Sequence, residues 1–268
     1  MCQENLEKRD KSLKYGNDLS YNMREVTLAD NSKAMESATF TKNLFMYEPT
    51  KLEETVKEKK TKRISDPRWH TLSTEPSGRS EIYFKQDFIN EVYEKAYFNH
   101  LNKYIKWELK EVWNSRGIKY PQPRMVAWFG PFPYSYSGMI LKANKKFPEI
   151  ALEIKNKIED LLKLQGRTVT FNSVLLNKYR DGKDGVAWHS DSKLSMGVDP
   201  LIASVSLGET RKFEMKKRSE EPNKDSADNV IYLESGSLLL MDGVMQQDWL
   251  HRVPKEYHDK STRINLTF

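Results

Sequence analysis

A chain of 268 residues, 38% hydrophobic and 31% charged, carries enough apolar material for one substantial domain with or without a tail, and its net charge of +6 suits either a polyanionic partner or solubility alone. No apolar run approaches the roughly 18 residues of a membrane span, and Met1-Cys2-Gln3-Glu4-Asn5 lacks the basic-then-apolar pattern of a secretory signal. The single cysteine, Cys2, excludes an internal disulfide and any multi-cysteine zinc site, which fits a reducing intracellular compartment.

Residues 1–75 show no sustained periodicity, and the mixed charge run from Lys51 to Lys60 is poor in core anchors. Such a segment buries too little apolar surface to offset its ordering entropy, so a disordered charged tail is expected, its partner unspecified. Order is expected from Ile82-Tyr83-Phe84, within a domain spanning 76–268. The apolar positions Phe88, Ile89, Val92, Ala96, Leu101, Tyr104, Ile105 and Leu109 follow an approximate helical spacing. Asn114-Ser115-Arg116-Gly117 reads as a loop or hairpin tip, Arg124 to Gly130 as a strand, and Pro131 to Tyr136 as an aromatic turn. The clearest helix starts at Pro148, places Ile150, Ile154, Ile158, Leu161 and Leu162 on one face, and stops before Gly166; it is expected to cover a sheet.

Beyond Gly166 the texture changes to short β-rich runs separated by turns: Thr168 to Tyr179, Leu201 to Gly208, Lys212 to Lys217, Val230 to Leu233, Ser237 to Met241 and Arg263 to Phe268. This spacing indicates a sandwich or barrel rather than a parallel α/β sheet. Lys216 to Asn229 reads as a polar surface loop.

The chemistry is concentrated in Trp188-His189-Ser190-Asp191. On a strand, side chains two apart project to the same face, so His189 and Asp191 converge. With His251 as the candidate third ligand they would form the two-His-one-carboxylate set that holds a non-haem ferrous ion by one face and leaves the other positions open; a chance His-x-Asp pair that binds no metal is the alternative reading of these residues alone. Two strands also have faces unlike a plain core. Asn177 and Tyr179 share a face with Leu175, while Arg263, Asn265 and Thr267 alternate against Ile264, Leu266 and Phe268. A solvated outer face accounts for the pattern; so does a barrel interior in which a guanidinium meets a dicarboxylate.

The series Asn177-Lys178-Tyr179, His189-Ser190-Asp191, His251 and Arg263-Ile264-Asn265-Leu266-Thr267 resembles the signature of the AlkB family of iron(II)- and 2-oxoglutarate-dependent nucleic-acid demethylases. Phe171-Asn172-Ser173, Ile202-Ala203-Ser204, Phe213-Glu214-Met215 and His251 to His258 resemble its third human-type branch in particular, and the resemblance covers about Tyr120 to Phe268. It implies a mostly β, double-stranded β-helix (jelly roll) core at about 168–268, with supporting N-terminal helices and a nucleotide-recognition region at about 110–140. It implies iron(II) on His189, Asp191 and His251, with 2-oxoglutarate bound by Asn177, Tyr179, Arg263, Asn265 and Thr267. Trp113, Tyr120, Arg124, Tyr134 and Tyr136 fall where substrate contacts are implied, Trp113 equally well closing the preceding helix and Arg124 meeting a phosphate or solvent.

The implied activity is oxidative demethylation of 1-methyladenine and 3-methylcytosine in DNA or RNA, with O2 consumed and succinate, CO2 and formaldehyde released. Because the Ser115-Arg116-Gly117 tip lacks a wedge for duplex DNA, single strands are the expected substrate; nucleus and cytoplasm, and a monomer without membrane attachment, are expected with them. The alternatives are a dioxygenase of the same fold acting on a protein or small molecule, and a catalytically impaired nucleic-acid binder. The last follows from the family pattern, which continues to a second cosubstrate arginine where this chain stops at Phe268; truncation or weaker cosubstrate binding is expected there. Ser192 and Lys193 also replace acidic residues common after the Asp191 position; Lys193 either points to solvent or, facing the base, would disfavour a positively charged lesion.

Overall fold

The computed structural model describes residues 61–113, 116–136, 138–191, 197–218 and 225–268. Two β-sheets face each other in a jelly roll, consistent with the mostly β expectation. The smaller sheet takes β1 (Lys62–Arg63), β13 (Asn229–Leu233), β12 (Arg211–Lys217), β15 (Trp249–Val253) and β10 (Val186–His189) in that order. The larger runs β2 (Trp69–Ser73), β3 (Ser80–Lys85), β14 (Leu238–Gly243), β11 (Ile202–Gly208), β16 (Arg263–Thr267), β9 (Val174–Tyr179) and β6 (Met125–Phe129). Two separate ribbons, β4 (Glu111–Trp113) with β5 (Lys119–Pro121) and β7 (Tyr134–Tyr136) with β8 (Met139–Leu141), complete the strands.

Period-two alternation divides the larger sheet into two faces. Val174, Leu176, Ala203, Val205, Leu207, Ile264 and Leu266 face the helices and join Leu101, Ile154, Ile158 and Leu162 in the main core. Ile202, Phe84, Leu239 and Met241 face the other way, packing with Phe213, Met215, Ile231 and Trp249 of the smaller sheet. Of the covering helices, α1 (Glu91–Tyr104) begins where the Asn90 side chain accepts from the Val92 N–H at 2.9 Å. α2 (Glu149–Leu164) ends in a Schellman arrangement: Arg167 N–H donates to the Leu162 carbonyl, Gly166 N–H to that of Lys163, and Gly166 takes φ +76°. Truncating Ile154, Ile158 or Leu162 to alanine in this core costs on the order of 2–5 kcal/mol each. Among the described residues, no helix is long and apolar enough to cross a membrane.

Several expectations shift. The ordered region starts earlier than Ile82: β1 pairs in parallel with β13, and β2 pairs with β3, so residues 61–75 belong to the sheets rather than to a tail. Residues 1–60 lie outside the described residues. α1 stops at Tyr104, so Ile105 and Leu109 are not helical; Glu108 instead bridges Val126. The aromatic segment read as a turn contains a strand, since Tyr134 to Tyr136 pairs with β8. β12 runs to Lys217 and β13 starts at Asn229, which shortens the expected surface loop at both ends.

The turn between β9 and β10 packs tightly on the segment after β15. A Cβ built on Gly182 would lie 2.0 Å from the Glu256 carbonyl oxygen. Because the obstacle is backbone, Gly182→Ala should destabilise the domain by about 2 kcal/mol or more, and a melting curve matching the parent's would contradict this packing.

Candidate active site

Strand β10 ends at His189, and Asp191 follows just beyond it; β15 brings His251 opposite His189 in the antiparallel register. Ligand atoms of His189, Asp191 and His251 all lie within 4.8 Å of one another. Asp191 Oδ1 stands 4.0 Å from His189 Nε2, and Oδ2 stands 3.9 Å from His251 Nε2. Donors each about 2.1 Å from a shared ion can be no more than about 4.2 Å apart, so both carboxylate–imidazole pairs are already at ligand spacing. His189 Nδ1 lies 2.8 Å from the Ala187 carbonyl oxygen, which can only accept; the proton therefore sits on Nδ1 and the Nε2 lone pair is free to coordinate. His251 is held by Phe213, stacked at 5.2 Å, and Asp191 by its own N–H, which donates to Gln246 Oε1 at 2.8 Å. Gln246 belongs to the short helix α3 (Met245–Asp248).

The electrostatics of the three residues ask for a cation. Burial raises the Asp191 carboxyl above the ordinary carboxylate range, with His189 and Arg124 opposing that rise. Burial, reinforced by His189, holds His251 well below the ordinary imidazole value, so its ring is neutral and can ligate. A divalent ion among the three donors reverses the carboxylate's desolvation penalty. Two imidazoles and one carboxylate on one side of a cavity are the donor set of a non-haem iron(II) centre with open positions.

The opposite wall of the same cavity, which encloses about 470 Å³, comes from β9, β11 and β16. Arg263 pairs across the ladder with Tyr179, and Asn265 with Asn177. Far from being a solvated face, these positions are buried: Arg263 is 1% exposed, and Asn177 and Asn265 are each 6%. Arg263 Nη2 donates to Ser206 Oγ at 2.9 Å, whereas its Nε and Nη1 have no acceptor. Burial pulls its guanidinium down to about 10, with Tyr179 acting upward and Arg211 downward. A buried cation with two unanswered donors fits a carboxylate group, and 2-oxoglutarate carries two. Asn265 Nδ2 donates to Ser204 Oγ at 2.7 Å and Thr267 Oγ1 donates to Asn265 Oδ1 at 2.9 Å, which fixes the neighbouring amide.

The mouth is formed by the two ribbons. Trp113 on β4 and Tyr120 on β5 are 59% and 42% exposed and line the cavity. Trp113 thus lies on a strand and does not close a helix. Tyr134 is buried, stacked on Trp128 at 4.6 Å, and Tyr136 hydroxyl donates to Gln122 Oε1 at 3.1 Å. Arg124 is not a surface charge: its Nε donates to Asn177 Oδ1 at 2.9 Å and its guanidinium lies over the Tyr136 ring. It joins the mouth to the wall that bears Arg263. Asn114, Ser115, Ser192 and Lys193 lie outside the described residues.

All thirteen residues singled out from the sequence therefore line one cavity. Those overlooked include Ser204 and Ser206, whose alternation with Ala203, Val205 and Leu207 was a legible signal of a polar inner face. Phe213 and Gln246 carried no comparable signal, because a phenylalanine in a strand and a glutamine in a short helix look ordinary.

Comparison with known proteins agrees with this geometry. Residues 81–268 match the family model of the 2OG-Fe(II) oxygenase superfamily. The mouse protein named alpha-ketoglutarate-dependent dioxygenase alkB homolog 3 is 38% identical over 205 residues, which are 74% of this chain and 69% of that one. The human protein of the same name shows the same identity and coverage. DNA oxidative demethylase ALKBH2 of Arabidopsis thaliana is 34% identical over 212 residues, covering 70% of this chain and 66% of its own. The solved structure of OsALKBH1 superimposes with a TM-score of 0.49 at 15% identity, over 70% of this chain and 96% of that one.

Proposed function

Because the chain belongs to the AlkB family of the 2OG-Fe(II) oxygenase superfamily and is an iron(II)- and 2-oxoglutarate-dependent dioxygenase, we propose that it demethylates alkylated bases, 1-methyladenine and 3-methylcytosine, in single-stranded DNA or RNA. One observation carries this reading. The His189–Asp191–His251 set, the buried Arg263 pocket and an aromatic mouth share a single cavity.

When bound, iron(II) with 2-oxoglutarate and O2 supplies the oxidising power that inserts one oxygen atom into an N-methyl C–H bond, the other leaving in succinate as CO2 departs. The hydroxymethyl product loses formaldehyde and leaves the repaired base. In this reading His189 and His251 each present a neutral imidazole nitrogen and Asp191 a carboxylate. Arg263 pairs one carboxylate of 2-oxoglutarate, while Asn177, Tyr179, Asn265 and Thr267 fix its orientation. The side chains at the mouth receive the base. Trp113 and Tyr120 present exposed rings on which unpaired bases stack, worth about 1–3 kcal/mol each. The net charge of +6 adds a sequence-independent attraction to phosphates.

The preference for single strands rests on the cost of extrusion and on the tip of the β4–β5 ribbon. Among the described residues of that tip the exposed large apolar side chain is Ile118, which is small for filling the space vacated by an extruded base. The test supplies ferrous iron, ascorbate and 2-oxoglutarate and measures succinate and formaldehyde with matched 1-methyladenine oligonucleotides. Single strands should react about tenfold faster than duplexes, reflecting the few kcal/mol of unpairing and unstacking. Faster duplex repair would overturn the strand preference. Turnover stimulated by peptides but not by methylated oligonucleotides would overturn the substrate class.

A further inference from the structure

Among the described residues the two largest fully buried side chains are both arginines, and only Arg263 has a role in the reading above. Arg211 enters from β12, two residues before Phe213, and is held by three backbone carbonyls. Its Nη1 donates to Asp181 O at 3.2 Å, and its Nη2 to Asp184 O at 2.8 Å and Pro254 O at 2.6 Å. Asp181 and Asp184 lie in the turn that joins Tyr179 to the His189 strand, and Pro254 directly follows the His251 strand. One guanidinium thus clasps the turn that leaves β9 and enters β10 to the outgoing end of β15.

The same guanidinium flanks Tyr179. Its Cζ lies 5.7 Å from the centre of the tyrosine ring, and the Cζ of Arg263 lies 5.1 Å from it. The nearest carboxylate, Glu256 Oε2, is 3.9 Å from Arg211 Nε, which has no hydrogen-bond acceptor. The packing around the clasp leaves little slack, since a Cβ on Gly185 would lie 2.7 Å from the Val253 carbonyl oxygen. A lysine could satisfy some of these carbonyls but lacks the planar fork that reaches both segments while covering a ring.

We propose that Arg211 is the positioning residue of the cosubstrate pocket: it fixes the turn after Tyr179 and seats that ring against Arg263, so that Arg263 stands at a set distance from the metal ligands. This rests on the assignment of Arg263 and Tyr179 to 2-oxoglutarate. Arg211 itself does not line the cavity. Its effect falls on a ligand that must span both Arg263 and the metal, and spares one that touches the metal alone.

Calorimetry on the full chain separates these cases. Mn(II) is titrated first, then 2-oxoglutarate or oxalate into the Mn(II) protein; oxalate can chelate the metal but is too short to reach Arg263 as well. For Arg211→Lys, 2-oxoglutarate affinity should fall about tenfold or more while Mn(II) and oxalate affinities stay within about threefold. Arg211→Gln keeps two amide donors for the carbonyls but lacks the charged fork; it should show the same selective loss, and it decides the matter should Arg211→Lys fail to fold. Unchanged 2-oxoglutarate affinity in a folded Arg211→Lys, or in a folded Arg211→Gln, overturns the proposal. So does a parallel loss of oxalate and 2-oxoglutarate affinity, the mark of a purely structural clasp. An Arg263→Gln control that still binds 2-oxoglutarate normally points instead to failure of the underlying pocket assignment.

Discussion

Asp191→Asn is expected to lower succinate formation by more than about a hundredfold, beyond the loss caused by disturbing partners of a ligand alone, with the domain still folded. Both carboxylate oxygens of Asp191 face imidazole nitrogens at 3.9–4.0 Å, and an amide keeps the shape while losing the charge that draws in a divalent ion. The stability side has a definite sign. In the metal-free protein the folded carboxyl is raised above its unfolded value, so its favourable contribution is complete below the unfolded value and is lost as pH rises through the folded one. Asparagine has no such loss. Near neutral pH the metal-free variant should melt no lower than the metal-free parent. Mn(II) at a hundredfold excess over its Kd should stabilise the parent by about 2.7 kcal/mol and the variant far less. Equal metal-induced shifts in the two proteins would remove Asp191 from the ligand set.

Arg263→Gln should raise the KM for 2-oxoglutarate about a hundredfold, since charge-assisted pairing in a buried site contributes on the order of 2–5 kcal/mol. Two of its donors lack acceptors and the third group rests on the Ser206 hydroxyl, so the folded protein gains little from this cation by itself. Burial lowers its pKa to about 10, which states the same cost in another form. The variant should therefore melt at or above the parent's temperature in the absence of cosubstrate, and bind Mn(II) normally. A KM within about threefold of the parent's would separate Arg263 from the cosubstrate.

Much of this site was visible in the sequence because strands convert spacing into facing. His189 and Asp191 are two apart, and Arg263, Asn265 and Thr267 alternate with Ile264, Leu266 and Phe268, which the fold turns toward the helices and core. What composition left open was whether the polar face meets water or a cavity; the second sheet decides that. β1 and β2 escaped notice for a related reason. Ile64, Trp69 and Leu72 are thinly spread apolar residues, and the partner of β1 is β13, more than 160 residues away in Lys62↔Asn229. Local patterns carry no record of such distant pairing. Tyr134-Ser135-Tyr136 was hidden by the flanking Pro131 and Pro133, and Arg211 by its resemblance to any basic residue at the start of an exposed strand.

Neither ribbon at the mouth shares a hydrogen-bond ladder with the two sheets that hold the metal and cosubstrate groups. The ribbons are joined to those sheets through side chains, Tyr134 on Trp128 and Tyr136 under Arg124, and not through backbone pairing. Over evolutionary time, two short hairpins can lengthen, shrink or exchange side chains while the furnace behind them keeps its dimensions.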